Sequence, residues 1–412
     1  MPTLKASPKI AIITTGAMPV PPTLGGAVEH LIYMLVRENE EAPVPFQFTV
    51  FSMAPGAVGE YPTNQRHTRW EWIERRLLHR VLQRLLLRRF GGRFSPVLKN
   101  YPFFLKAVRR LREETHDLVV FQNRPDILEY CSRRLAAPLA LYLQNEYLSF
   151  PRDEMARAVI AADRVLACSS FIGRQLGAAF PTHQQKVRTV LNGIDAQLFD
   201  RGRWAHTRDS VRARLGIAPD DFVILYSGRL VPAKGADRLL QAVARLGDFP
   251  KAKVLVVGAT GYSEDQPTEF SRSVRDAGAR LKDRVIFTGY VKYEEMPQYY
   301  GAADIAVLPF IFEEPFGLTV IESMSMELPV ITTDSGGVPE IVTAECGEIL
   351  PRSELEPRLE ESIRRLYHSP SARSKMGAAG RTAVLGSFTS HHLYQGFRRS
   401  VEDFWDGPAG LG

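Results

Sequence analysis

Residues 310–342, FIFEEPFGLTVIESMSMELPVITTDSGGVPEIV, read as strand end, loop, helix, strand and loop, a rhythm that points to an α/β architecture. An apolar strand over 305–310 runs into the acidic pair Glu313 and Glu314. Pro315 presets φ for a first helical turn, so Phe316, Gly317, Leu318 and Thr319 are expected to open the helix. The first N–H groups of a helix lack intrahelical acceptors and carry about half a positive charge, which suits a phosphate. Glu322 follows Glu314 by about two helical turns, so one carboxylate is expected at the mouth of the loop and the other on the helix. Such a pair suits a sugar, whose hydroxyls donate to anions. Taken alone, the spacing fits an ordinary loop and helix carrying two solvated acids better.

The rest of the chain bounds the class. With 412 residues and 45% hydrophobic content, it can build two domains of ordinary size. Its 3 cysteines, Cys131, Cys168 and Cys346, are far apart and odd in number, which matches neither a disulfide framework nor a zinc spacing and points to a reducing cytoplasm. The opening KIAIITTGAMPV is broken by threonines and lacks a weighty basic leader, so a buried first strand is expected rather than a signal peptide. No run approaches the roughly 18 apolar residues of a membrane span.

The net charge is +6, and the excess is concentrated. Between Arg66 and Arg112 stand 14 Lys or Arg against 2 Glu. Over residues 75–89, Arg75, Arg76, Arg80, Arg84, Arg88 and Arg89 alternate with apolar residues in helical rhythm. Two readings stand side by side: a peripheral contact with an anionic membrane face or an acidic acceptor, and a solvated helix over the N-terminal core. No aromatic-studded motif accompanies the charge, so nucleic acid is not an expected partner.

Taken in order, residues 9–15 form a strand, and Gly25 and Gly26 open a helix over 27–37 with Val28, Leu31, Ile32, Leu35 and Val36 on one face. This is a βα turn of the kind that lets backbone approach a ligand, although a glycine pair alone is more often just a turn. Apolar runs at 46–52, 117–122, 139–143, 164–169 and 187–191 continue a parallel sheet. Gln144, Asn145 and Glu146 lie at the end of one strand, where α/β folds place ligands. After LNGID at 191–195, the polar, basic stretch 200–214 reads as a hinge. A second series follows, with strands at 222–227, 253–258, 285–289, 305–310 and 329–333. Arg229 and Lys234 flank the loop after its first strand, beside a helix start, and are a natural counter to a pyrophosphate.

The phrase EEPFGLTVIESMSMELPVITTDSGGVPEIV, the element GRLVPAKG and the turn LNGID together resemble the retaining glycosyltransferases of family four, enzymes of GT-B fold with two Rossmann-like domains facing a cleft. The resemblance runs from about Lys9 to Phe404 and is loosest over 38–117. It implies an acceptor-binding domain over 1–200, a nucleotide-sugar domain over 201–387, and a closing helix near 388–405 that packs back on the first. Glu314 is then expected to face the donor sugar, Glu322 the ribose, and Arg229 and Lys234 the diphosphate, with Glu314, Arg229 and Lys234 as the catalytic set. Phe316, Gly317, Leu318 and Thr319 also fall to the donor. The loop at Gly289, Tyr290 and Val291 matches where relatives hold the base through backbone, which does not spell out the base. Gly26 is expected to face the donor phosphate, and Gly25, Gln144, Asn145 and Glu146 the acceptor.

The implied reaction moves a sugar, UDP-linked as the first expectation, to a hydroxyl of a small-molecule, lipid or glycan acceptor with retained configuration, as a hexosyltransferase would. No cofactor is expected, and no metal, because a D-x-D is lacking and a diphosphate-bound metal has no evident ligands. The chain departs from relatives at Gln144, where a histidine often stands; glutamine hydrogen-bonds a hydroxyl but cannot take its proton. Three alternatives remain: a GT-B sugar-nucleotide epimerase, a glycogen-synthase-like elongating enzyme, and a non-enzymatic sugar-nucleotide binder.

Overall fold

Strands buried on both faces appear in sequence as unbroken apolar runs, because neither side of such a strand meets water. The chain carries two sets of them, LVVFQ and LALYL in the first half and FVILYS and AKVLVV in the second, all fully buried. The structure is a computed structural model describing residues 7–54, 65–74, 95–145, 152–261 and 267–406, with side chains from residue 102 in the third span.

The chain divides into two units, one of residues 1–191 with 393–412, the other of residues 192–392. The first sheet joins β1 (Lys9–Ile13), β2 (Gln47–Met53), β3 (Thr68–Ile73), β4 (Leu118–Gln122), β5 (Leu139–Leu143), β6 (Arg164–Ala167) and β7 (Val187–Thr189). Its order is β3-β2-β1-β4-β5-β6-β7, parallel throughout. The second joins β8 (Phe222–Ser227), β9 (Ala252–Val257), β10 (Val285–Gly289), β11 (Ile305–Leu308), β12 (Val330–Thr333) and β13 (Gly347–Leu350), in the order β10-β9-β8-β11-β12-β13, again all parallel. Both units are Rossmann-like α/β folds, as expected.

In each sheet the strand order reverses once, between β1 and β4 and between β8 and β11, and the carboxyl ends of those strands are where open α/β sheets bind ligands. One face of the second sheet packs Ile224, Tyr226, Val254, Ile305 and Val307 against Leu239, Leu240 and Val243 of the helix Ala236–Arg245. The closing helix Ser390–Asp406 reaches the first unit from Leu393 onward. There Phe397 packs against Phe48 and Tyr142, and the Tyr394 hydroxyl donates to Asn39 Oδ1 at 3.0 Å.

Several expectations need correction. The basic run holds an edge strand, β3, with Thr68, Trp70 and Ile73 buried and Arg69, Glu71 and Trp72 half-buried. Among the described charges around it, Arg69 pairs with Glu71 and Glu114, and Arg110 with Glu71. The basic helix expected over 75–89 lies outside the described residues. The stretch 200–214 is no loose hinge: it forms the helices Arg201–Trp204 and Arg208–Arg214, and both Arg208 and Arg212 grip Asp304. The helix after the acidic loop starts at Leu318, not Phe316, because Gly317 at φ 105° caps it in a left-handed conformation that no helical residue adopts. Pro315 therefore stands in the preceding loop. Glu314 is not helical, so the two-turn argument for the spacing does not hold.

Candidate active site

In the second unit, the loop after β8 and the loop after β11 are sewn together at the reversal point. Gly235, at φ 69°, comes so close to Pro309 that a Cβ there would stand 2.0 Å from its carbonyl oxygen, and Ile311 N–H donates to the Ala233 carbonyl at 3.0 Å. This close approach brings Lys234 to Glu314: their side chains form an ion pair, 18% and 12% exposed. The ammonium also lies 4.8 Å from the ring centres of both Phe310 and Phe312, an arrangement that attracts a cation. Arg229 stands exposed at the start of the same loop.

The Glu314 backbone is fixed from below by the turn at Ser335, Gly336 and Gly337. Its N–H donates to Ser335 Oγ at 2.9 Å, and its carbonyl accepts from Gly337 N–H at 2.8 Å. Only glycine fits at Gly336, where φ is 53° and a Cβ would meet the Glu314 carbonyl at 2.2 Å. Glu313 points the other way, accepting from Gly336 N–H at 2.8 Å and from Arg352 at 2.7 Å. Phe316 is buried edge-on to Phe388, and Leu318 and Thr319 sit half-buried in the first turn of the helix Leu318–Ser325. Val291, also half-buried, follows Gly289, whose carbonyl accepts from Gly258 N–H at 3.1 Å.

Glu322 has a different environment from Glu314. It is buried inside the same helix, and its Oε2 lies 2.7 Å from the Tyr300 hydroxyl, which lies 2.9 Å from Ser227 Oγ at the end of β8. Burial pushes the Glu322 carboxyl up to about 7, opposed by the Tyr300 hydrogen bond. Tyr300 and Ser227 are functional candidates that the sequence reading missed; Ser227 closes an apolar strand and Tyr300 lies in a short helix, and nothing in their spacing marks them.

In the first unit, Gly25 and Gly26 have φ of 81° and 108°, and Gly26 caps the helix Ala27–Glu41. The second favours glycine because of its φ of 108°; a Cβ there would also stand 2.2 Å from Glu29 Oε2 and 2.5 Å from Met18 Cε, the ends of flexible side chains. Glu29 is buried, accepts from Thr15 Oγ1 at 2.7 Å, and is pushed above the usual carboxylate range by that burial. Burial pushes its neighbour His30 down to about 4, which keeps the ring neutral. Glu29 was also missed, although an acid three residues after a cap is a readable signal. Gln144 is buried, donating its N–H to Asn123 Oδ1 at 2.6 Å and hydrogen-bonding the Tyr142 hydroxyl, and Asn145 is exposed. Asn123, at φ 51°, closes β4 in the left-handed region that asparagine tolerates. Glu146 lies outside the described residues.

Within the second unit the structure thus brings together Lys234 and Glu314, with Arg229 on the same loop and Glu322 on the adjoining helix. Within the first it brings Gly25 and Gly26 to Glu29, and Gln144 to Asn123. Among the described residues no three His, Cys, Asp or Glu side chains gather as a metal site, and no helix is long and apolar enough to cross a membrane.

The chain is similar over most of its length to spore coat protein SA of Bacillus subtilis, at 26% identity across 92% of this chain and 95% of that protein. It is 32% identical to D-inositol 3-phosphate glycosyltransferase 1 of Catenulispora acidiphila across 59% of each chain. Among solved structures, Anabaena HepE in complex with UDP and glucose shares the fold with a TM-score of 0.70 at 21% identity, over 96% of this chain and 99% of that one. Sucrose-phosphate synthase of Thermosynechococcus elongatus does so with a TM-score of 0.76 at 20% identity, over 97% and 100%. The family description "Glycosyltransferase Family 4" matches residues 28–198, and "Glycosyl transferases group 1" matches residues 207–383, the unit that holds Arg229, Lys234, Glu314 and Glu322. The chain belongs to the group 1 glycosyl transferases of GT-B fold, and is a glycosyltransferase.

Proposed function

We propose that this glycosyltransferase takes a sugar from a nucleoside-diphosphate sugar, with UDP as the carrier, and passes it to a hydroxyl with retained configuration and without a metal ion. The observation that carries the proposal is the Lys234 and Glu314 pair at the β8/β11 reversal, with Arg229 beside it and the helix start at Leu318 after it. Two cations and a helix start form a site for a diphosphate, and they stabilise it most as it leaves and its charge develops. The UDP assignment is supported by solved relatives of the same fold, which are described in complex with UDP, and with UDP-glucose.

In this reading Glu314 receives a sugar hydroxyl and so orients the anomeric carbon, and Glu322 receives the ribose hydroxyls. The bond from the anomeric carbon to the diphosphate breaks, the acceptor oxygen bonds to that carbon on the same face, and the acceptor proton passes to the departing phosphate oxygen. No protein base is then required, which accommodates Gln144. The first unit holds the acceptor, through the loop at Gly25 and Gly26 and the strand end at Gln144 and Asn145.

The test is turnover: mass spectrometry of reactions containing UDP-glucose, UDP-galactose or GDP-mannose with pools of lipid, glycan and cyclitol acceptors. A glycoside that forms with the UDP-sugars in EDTA, with the donor's anomeric configuration, supports each part. Formation only with GDP-mannose replaces the base, and abolition by EDTA replaces the metal-free mechanism.

A further inference from the structure

Tyr300 is fully buried on the helix Met296–Ala302, and its ring meets Phe199 edge-on at 5.7 Å and 88°, so it cannot swing aside. Its hydroxyl touches Glu322 at 2.7 Å and Ser227 at 2.9 Å, yet a phenol has one proton and donates in one direction only. With Glu322 ionised, Ser227 donates to Tyr300 and Tyr300 donates to Glu322. With Glu322 protonated, the chain runs backwards: Glu322 donates to Tyr300 and Tyr300 to Ser227. Ser227 closes β8 just before Gly228 and Arg229, so this chain ties the buried carboxylate to the strand end that carries a phosphate-side cation.

Resting on the donor site proposed above, the geometry points to Tyr300, backed by Ser227, as a positioning residue that aims the Glu322 carboxylate at the ribose and holds it in the accepting, ionised state. Ribose hydroxyls are donors, so they need an acceptor and bind the ionised form. The titratable groups that act with Glu322 are Tyr300 and Tyr293, both phenols pushed far up by burial and hence neutral. Burial alone would leave Glu322 protonated through neutral pH, and the Tyr300 bond is what opposes it. Donor affinity is therefore expected to be half-maximal near pH 7, where Glu322 is half ionised, and to rise above that pH and fall below it.

The experiment is calorimetric affinity for UDP-glucose and GDP-mannose, from about pH 5.5 to about pH 9, on the unaltered protein, Tyr300→Phe, Ser227→Ala and Glu322→Gln. Both probes carry diphosphates without a terminal phosphomonoester to titrate in that range. For whichever is bound, Tyr300→Phe is expected to move the midpoint up by about one unit, which weakens binding about fivefold at about pH 7 and approaches about tenfold well below it. Ser227→Ala should shift it the same way by less, and Glu322→Gln should make affinity flat with pH. A midpoint that stays in place in Tyr300→Phe overturns the inference, whether or not affinity drops, because a packing role alone does not move a titration. If Tyr300→Phe melts with loss of the fold, Ser227→Ala decides in its place by the same criterion. If the unaltered protein binds neither probe, the donor site itself is wrong and this inference falls with it, an outcome distinct from binding with an unmoved midpoint.

Discussion

Substituting Glu314→Gln separates the two tasks assigned to the proposed donor site. In the unliganded protein the Lys234 ammonium is already engaged by Glu314 and by two aromatic rings, so an incoming diphosphate has to compete for it. Unit charges in contact attract by about 4 kcal/mol at an effective dielectric near 20. Desolvation and side-chain ordering offset most of that, and fully exposed pairs keep only about 0–1 kcal/mol. With Lys234 18% and Glu314 12% exposed, this pair sits above the exposed limit, and we take about 1.5 kcal/mol, roughly tenfold in an equilibrium constant. Glutamine keeps the shape and removes the charge, so Glu314→Gln should bind plain UDP about tenfold more tightly than the unaltered protein.

Transfer should go the other way. A sugar hydroxyl that loses its anionic acceptor is misplaced at the anomeric carbon, and a small misplacement costs on the order of a hundredfold in rate. Lys234→Ala, by contrast, should weaken UDP and slow transfer together, with the larger loss in transfer because the leaving diphosphate gains charge. Titration calorimetry with UDP, beside initial rates at saturating donor, reads both quantities. If Glu314→Gln weakens UDP as much as Lys234→Ala does, Glu314 contacts the nucleotide and its assignment to the sugar is wrong.

Three further outcomes are expected. Gly26→Ala places a side chain at φ 108°, where Glu29 and Met18 would also have to give way, so it should cost about 1–3 kcal/mol and lower Tm by several degrees; an unchanged melting curve would refute the backbone strain. Glu322, held at about 7 against 4.5 unfolded, keeps its proton in the folded state between those values, so its burial cost grows as pH rises from 4.5 and is complete above about 7. Glu322→Gln should then stabilise the protein by about 3 kcal/mol more at pH 8 than at pH 4.5, measured by urea unfolding, and equal gains at both would exclude the raised carboxyl. Asp304→Ala strands the buried Arg212 and removes the acceptor for Val223 N–H, and should cost about 3–5 kcal/mol in the same assay; a loss under 1 kcal/mol would show that the carbonyls around Arg212 suffice without it.

The parts of this fold that could be read in sequence are those whose residues face protein on both sides. β5 and β8 match the expected bounds because their apolar runs are unbroken. β3 escaped because an edge strand half open to water alternates Trp70 and Trp72 with Arg69 and Glu71, a pattern submerged in the surrounding basic run. β13, GEIL, is too short and too mixed to stand out. The arginines of 200–214 looked like a solvated hinge, since nothing local reveals that Arg212 spends its donors on the carbonyls of Ala302, Ala218, Pro219 and Asp221. Lys234 and Glu314 were legible because each carries its chemistry in its own side chain. Tyr300 and Ser227 were not, because what matters is the hydrogen bond each makes with a residue distant in the chain.

The spacing of Glu314 and Glu322 depends on a break in the helix and not on its periodicity. A continuous helix across both would hold the two carboxylates about 12 Å apart on one face, in a shared environment and with similar acidity. Gly317 stops the helix at Leu318 and leaves Glu314 in a loop pinned by Ser335 and Gly337. That loop turns Glu314 toward a lysine, while the helix carries Glu322 inward to a phenol. The result is one acid neutralised by a cation that a diphosphate can take over, and another held near neutrality by burial. In the proposed reading, two glutamates with the same solution chemistry thereby serve different parts of one donor, the first its sugar and the second its ribose, and the residue that separates them is the glycine between.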